Sequence, residues 1–238
     1  MDPTLQTSSN DQLPKSSSNQ ELNQLPREKF WEVIDIYRWE EFWCSSTEIE
    51  RISAFQSHFQ ADDNDVIIAS SLKTGTTWLK AVCVSIIHGD SDDEDLLIKG
   101  VPHAYAPNLE NQIYQDSLHP DLSSAALESL KMPHKILFLK YEDLKSNPIE
   151  EAKKLASFLG KPFHEDEDVQ KVMQRCSLDR LKNLAVTKNG MTSKVPNSFF
   201  YRLGTVGDWK NYLTPEMSER LDHITRMKLQ SSGLDLQN

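Results

Sequence analysis

Between Thr47 and Phe59 the apolar residues of TEIERISAFQSHF return every three or four positions. That spacing predicts one buried face of an amphipathic helix, with Thr47 placed as its cap. An unbroken apolar run follows in DVIIAS, Asp65 to Ser70, and predicts a short buried strand. TTWLKAVCVSIIHG then has helical length and stops at Gly89. KILFLKYEDL predicts a second strand that ends in polar residues. NPIEEAKKLASFLG predicts a helix capped by Asn147, with Pro148 in the first turn, Glu150 completing a capping pair, and Gly160 and Pro162 at the stop. EDVQKVMQRC and SLDRLKNL continue as two helical pieces, and TPEMSERLDHITRMKLQSSG closes the chain as a helix from Thr214. Residues 99–126 have no clear period. Strand, small-residue loop, helix and strand in that order predict an α/β domain with a parallel sheet.

Residues 1–27 are mostly Ser, Asn, Gln and Asp and predict a disordered tail, followed by a single domain over 28–238. Trp31, Ile34, Tyr37 and Trp43 stand at its start as packing anchors. The acidic run DSDDED, Asp90 to Asp95, reads as a solvated loop. The formal net charge is −10, so the surface as a whole repels nucleic acid and anionic membrane, and an anionic ligand needs a local basic site. Three widely spaced cysteines, Cys44, Cys83 and Cys176, give neither a disulfide framework nor a zinc pattern. No signal core or membrane-length apolar run is visible, which makes the cytoplasm the expected compartment.

The stretch SSLKTGTTWLK, Ser70 to Lys80, carries the chemistry. A strand, a glycine turn and a helix start aim several backbone N–H groups at one spot, and the helix dipole favours an anion there. Gly75 allows close approach, Thr74, Thr76 and Thr77 offer hydroxyls, and Lys73 brings a positive charge. The nucleoside-triphosphate pattern G-x-x-x-x-G-K-[ST] is not met, because Lys73 precedes Gly75 and the magnesium-holding Ser or Thr is displaced. The residues therefore point to a phosphate held without an obligatory metal. An ordinary strand-to-helix turn is the plain alternative. A second alternative reads ILFLKYED as the acidic strand end of a metal-dependent nucleotide phosphatase or kinase, with Asp143 as magnesium partner.

SSLKTGTTWLKAV resembles the 5′-phosphosulfate loop of cytosolic sulfotransferases, most nearly the plant soluble type. KILFLKYEDLKSNP with AKKLASFLGKPF is similar to the middle of that family, and FYRLGTVGDWKNYLTPEMSERLD to its C-terminal signature. The resemblance implies a P-loop-like, three-layer α/β/α fold. It implies transfer of a sulfonate from 3′-phosphoadenosine 5′-phosphosulfate (PAPS), as co-substrate and without a metal, to a hydroxyl of a small acceptor such as a phenol, steroid or flavonoid. Carried over, Lys73 would steady the leaving oxygen and Thr74, Gly75, Thr76 and Thr77 would wrap the 5′-phosphate. Trp78 would stack on adenine and Tyr141 would bond its edge; the plain readings are a core tryptophan and a solvated tyrosine. Arg202, Leu203 and Gly204 occupy an R-K-G triplet that grips the 3′-phosphate, with Leu203 replacing the lysine. Ser177 falls in a loosely matched adenine-side segment. Lys210, Thr214 and Glu219 have the spacing of a short dimer motif, with Pro215 in place of its valine, and leave the oligomeric state open.

One departure is large. The family runs through a T-H-x-P-like segment with the catalytic histidine, then an R-D-P-type turn and a long helical region. Here DLSS runs almost directly into ALESLKMPHKILFLKYEDL, so an internal block is absent near residues 124–127. His103, His119 and His134 do not stand at the catalytic position and read as surface or turn histidines. The implied consequence is a weak or inactive enzyme, or a pseudo-enzyme that binds nucleotide or acceptor without turnover.

Overall fold

The computed structural model describes residues 22–30, 32–40, 42–60, 65–70, 74–89, 95–108, 137–192 and 195–229. Trp31, most of the polar tail, most of the acidic run and the join near residues 124–127 lie outside them. The described residues fall into two compact units.

The first unit holds three antiparallel strands, β1 (Arg27–Phe30), β2 (Ile34–Trp39) and β3 (Phe42–Ser45), in the order β1-β2-β3. Tyr37 lies opposite both Arg27 and Cys44, and Lys29 opposite Asp35. Glu32 and Glu40 turn the two connections with left-handed backbones, φ 61° and 46°. Lys29 Nζ sits 2.9 Å from the Asp35 carboxylate across the pair, and its hydrogen bond lowers the Asp35 pKa. Helix α1 (Ser46–His58) follows directly. Its cap is Ser45 rather than Thr47: Glu48 N donates to Ser45 Oγ at 3.3 Å, and Ser45 N donates to Glu48 Oε2 at 2.8 Å. That reciprocal pair satisfies two donors at once, which a lone threonine further along the chain does not.

The second unit is built around helix α2 (Thr76–Ile87). Ala81, Val82, Cys83, Val84 and Ile86 of this helix are buried, so it is apolar on most of its circumference and needs neighbours on several sides. They are α3 (Leu96–Lys99), α4 (Pro102–Tyr105), α6 (Pro148–Phe158) and α7 (Asp166–Arg175), with α5 (Tyr141–Ser146) leading into α6. Leu97, Leu155, Leu159, Val172, Cys176 and Leu181 close the same core. Each fully buried leucine or valine contributes about 1.5–3 kcal/mol relative to exposure. Helices α8 (Leu178–Asn183) and α9 (Ala185–Asn189), a short β4–β5 pair (Met191–Thr192 with Val195–Pro196) and α10 (Pro215–Leu229) complete the unit.

The two strands read from apolar runs are not strands here. Residues 65–70 carry no ladder, and the described part of KILFLKYEDL is non-helical chain over Leu137–Lys140 and then the helix α5. The ladders present among the described residues are antiparallel. An apolar run becomes a strand only where a neighbouring edge pairs with it, and the core packing alone accounts for the burial of Val66, Ile68, Leu137 and Leu139. The helix α6 begins at Pro148 as read, but Asn147 makes no side-chain cap bond. Gly160, with φ 67°, ends it in the left-handed form that suits glycine.

Candidate functional site: the loop before helix α2

Gly75 is the N-cap of α2, with φ 101° and ψ 12°, a left-handed conformation that glycine adopts without steric cost. Gly75 has no side chain with which to cap this end, and the first turn of a helix presents N–H groups that have no intrahelical partner. Ser70 Oγ and Thr76 Oγ1 are 2.5 Å apart, which ties the entering chain to the first residue of the helix. Lys73 lies outside the described residues, as do His119 and His134.

Tyr141 is the hub of the site. A Cβ on Gly75 would meet its ring at 2.7 Å, and a Cβ on Gly204 would stand 3.8 Å from its hydroxyl. Gly204 also has a left-handed backbone, φ 67°, and Leu178 Cδ2 fills the space where a Cβ would be. Trp78 meets Tyr141 edge to face at 5.9 Å between ring centroids. Burial raises the Tyr141 phenol pKa, Glu142 adds to the rise, and the Arg202 guanidinium offsets part of it. Three segments far apart in the chain thus converge: the glycine loop, the start of α5 and the Arg202–Gly204 turn.

Trp78 is partly buried against the core, and Lys145 Nζ sits 5.6 Å from its ring centroid. Arg202 is half exposed and lies 3.4 Å from the buried Asp208 carboxylate, close enough for an ion pair but without hydrogen-bond geometry. Its guanidinium also lies 5.7 Å from the Tyr212 ring centroid. Leu203 projects into solvent. Thr74 stands beside Gly75 at the loop, and Ser177 is the N-cap of α8, accepting from Arg180 N at 3.4 Å. Asp143 lies in the first turn of a helix, so the acidic strand end required by the metal-dependent alternative is not present.

His103 is not a surface histidine. It is 6% exposed, and its ring packs on Phe200 at 4.5 Å between centroids. Nε2 is 3.1 Å from Thr77 Oγ1 and Nδ1 is 3.3 Å from Lys80 Nζ. Burial first, and the Lys80 charge second, push its pKa down to about 4, so the ring is neutral near pH 7. The signal available in the sequence was Lys80 itself, a charge one turn after Thr77 within an otherwise apolar helix.

A family model described as a sulfotransferase domain matches residues 117–233. Cytosolic sulfotransferase 15 of Arabidopsis thaliana is 30% identical, with 90% of this chain and 85% of that protein covered. This chain belongs to the cytosolic sulfotransferase family. The solved structures agree on the fold. An Arabidopsis thaliana sulphotransferase crystal structure aligns with a TM-score of 0.61 at 22% identity, covering 94% of this chain and 98% of that one. A mouse sulfotransferase complexed with PAP aligns at 0.51 and 19% identity, covering 83% and 95%. The α/β, P-loop-like class expected from the sequence is therefore the class of this chain. The match to cytosolic sulfotransferase 15 runs over 305 residues, whereas the present sequence has 238. Among the described residues no helix is long and apolar enough to cross a membrane.

Proposed function

We propose that this sulfotransferase holds the PAPS donor on the Gly75 loop and its partners, and that in this form it transfers sulfonate weakly or not at all. The observation that carries the donor assignment is the convergence of Gly75, Tyr141 and Gly204: a Cβ at Gly75 would collide with the Tyr141 ring, and one at Gly204 would stand 3.8 Å from its hydroxyl. The residues fit a nucleotide with phosphates at both ends. The glycine-led start of α2 suits one phosphate, and Arg202 suits the other, provided its guanidinium is shared with Asp208. The donor would supply the sulfonate and a 5′-phosphate leaving group. The chain's part is to orient that phosphate with N–H groups and threonine hydroxyls and to hold its charge through Lys73. Trp78 and Tyr141 offer the aromatic surface for a base. The acceptor is a small hydroxyl compound of the phenol, steroid or flavonoid kind, and the compartment is the cytoplasm.

The T-H-x-P-like segment is not found, and the 305-residue match against 238 residues supports relative-type sequence missing inside the matched span, which the motif order puts near residues 124–127. A positioned general base contributes about 10²–10⁴ in rate. The uncovered apolar stripe of α10, where Met217, Leu221 and Ile224 are each about half exposed, supports the same reading, because a complete core would cover such a face. Calorimetry with 3′,5′-adenosine bisphosphate, beside a labelled-donor assay over a panel of phenols, steroids and flavonoids, tests both parts. Micromolar binding with turnover at least about a hundredfold below an intact relative is the expected result. Turnover at the relative's rate removes the inactivity claim, and absence of binding removes the donor-site claim.

A further inference from the structure

Thr77 is in the loop, yet its hydroxyl is already engaged from behind. Lysine has three donors and no acceptor, so Lys80 Nζ, 3.3 Å from His103 Nδ1, makes that nitrogen the acceptor. A neutral imidazole then carries its proton on Nε2, and Nε2–H donates to Thr77 Oγ1 across 3.1 Å. A hydroxyl has one hydrogen to give. With its oxygen accepting from His103, that hydrogen is left to donate elsewhere. Thr77 sits in the first turn of α2, beside its first N–H groups. Phe200 packs against the imidazole and restricts its rotation, and Lys80, 3% exposed, is held within the core.

We propose that His103 is a positioning residue for the anion loop: it anchors the Thr77 hydroxyl oxygen, so that the hydroxyl hydrogen is presented to a 5′-phosphate, while Lys80 sets the imidazole tautomer that makes this possible. The proposal deepens the donor-site reading and rests on it. His103 takes no part in proton transfer to the acceptor in this role. It acts through Thr77, so its effect is confined to ligands that carry a 5′-phosphate.

Calorimetry on the full chain with two nucleotides isolates that effect. His103→Phe preserves the packing on Phe200 and removes the donor. It should weaken 3′,5′-adenosine bisphosphate about tenfold and leave adenosine 3′-monophosphate unchanged. His103→Gln, whose amide nitrogen can reach the Nε2 position, should restore most of the affinity. In a Thr77→Val background His103→Phe should cause no further loss. Equal weakening of both nucleotides, or full additivity with Thr77→Val, would overturn the proposal and leave His103 a packing residue. A wild-type chain that binds neither nucleotide removes the donor-site reading itself. The positioning link is then decided by nitrogen-15 spectra of the imidazole. Nε2 protonated and Nδ1 bare, with the Nε2 resonance shifting in Thr77→Val, supports it; a proton on Nδ1 overturns it.

Discussion

The Tyr141 ring occupies the space a side chain on Gly75 would need, 2.7 Å from where the Cβ would stand, while Gly75 itself holds a left-handed backbone. Both effects oppose substitution. Gly75→Ala should destabilise the second unit by about 1–3 kcal/mol and abolish detectable nucleotide binding. Combining it with Tyr141→Ala relieves the contact but not the backbone strain, so the double variant should remain about 1 kcal/mol below Tyr141→Ala alone. Denaturant unfolding of the wild type, the two single variants and the double variant checks this.

His103 links the loop to pH. Its folded pKa, about 4, lies below its ordinary 6.5, so the unfolded chain binds the extra proton first. The stabilisation of the neutral form is complete above pH 6.5 and falls as pH drops toward 4. The loss over that window is about 3 kcal/mol. Unfolding measured from about pH 7.5 to about pH 4.5 should show this slope in the wild type and a shallower one in His103→Gln.

Asp95 joins two parts of the second unit. One carboxylate oxygen accepts from Leu97 N at 3.0 Å, starting α3, and the other pairs with Arg180 at 2.5 Å. Arg180 also donates to the Arg175 carbonyl at 2.9 Å, joining α7 to α8. Because the guanidinium is partly exposed, Asp95→Ala should cost about 2–3 kcal/mol, below the range of a wholly buried pair. Thermal unfolding should show the cost, and added salt should recover little of it.

The thiols differ in reactivity. Burial pushes Cys83 and Cys176 up to about 12, leaving almost no thiolate at neutral pH. Cys44 is half-buried, and its rise is caused first by desolvation and then by Glu48. Iodoacetamide at about pH 8 should therefore modify one cysteine of the native protein, Cys44, and all three after unfolding. Mass spectrometry of the peptides decides it.

On α10 the apolar residues Met217, Leu221 and Ile224 face water. Leu221→Lys with Ile224→Gln should change stability by no more than about 0.5 kcal/mol while lowering aggregation. Light scattering and unfolding on the same samples test the pair. A loss of several kcal/mol would mean that the stripe is packed in solution.

The helices were the most legible part of the chain, because their signals are local. Pro148, Gly160, Ser177 and Thr214 act through their own backbones or those of near neighbours, and the corresponding helices begin or end where the pattern places them. Capping was misread where two candidates competed. Ser45 prevails over Thr47 because Glu48 can answer it, and Asn147 stands at its helix start without a side-chain cap bond. The strands expected at 65–70 and in KILFLKYEDL were misread because a strand depends on a partner that no single run contains. At the site, the glycine loop and Tyr141 were visible as motif residues. His103 was not, since its burial beside Thr77 depends on how α4 packs against α2.

The ladder of the first unit joins residues no more than ten positions apart, from Arg27 with Tyr37 to Trp39 with Phe42, and α1 follows it without a linker. Little chain entropy is spent in closing such short spans. This end of the protein can therefore reach its native pairing early, during or soon after emergence from the ribosome, while α2 still waits for helices encoded some seventy residues downstream.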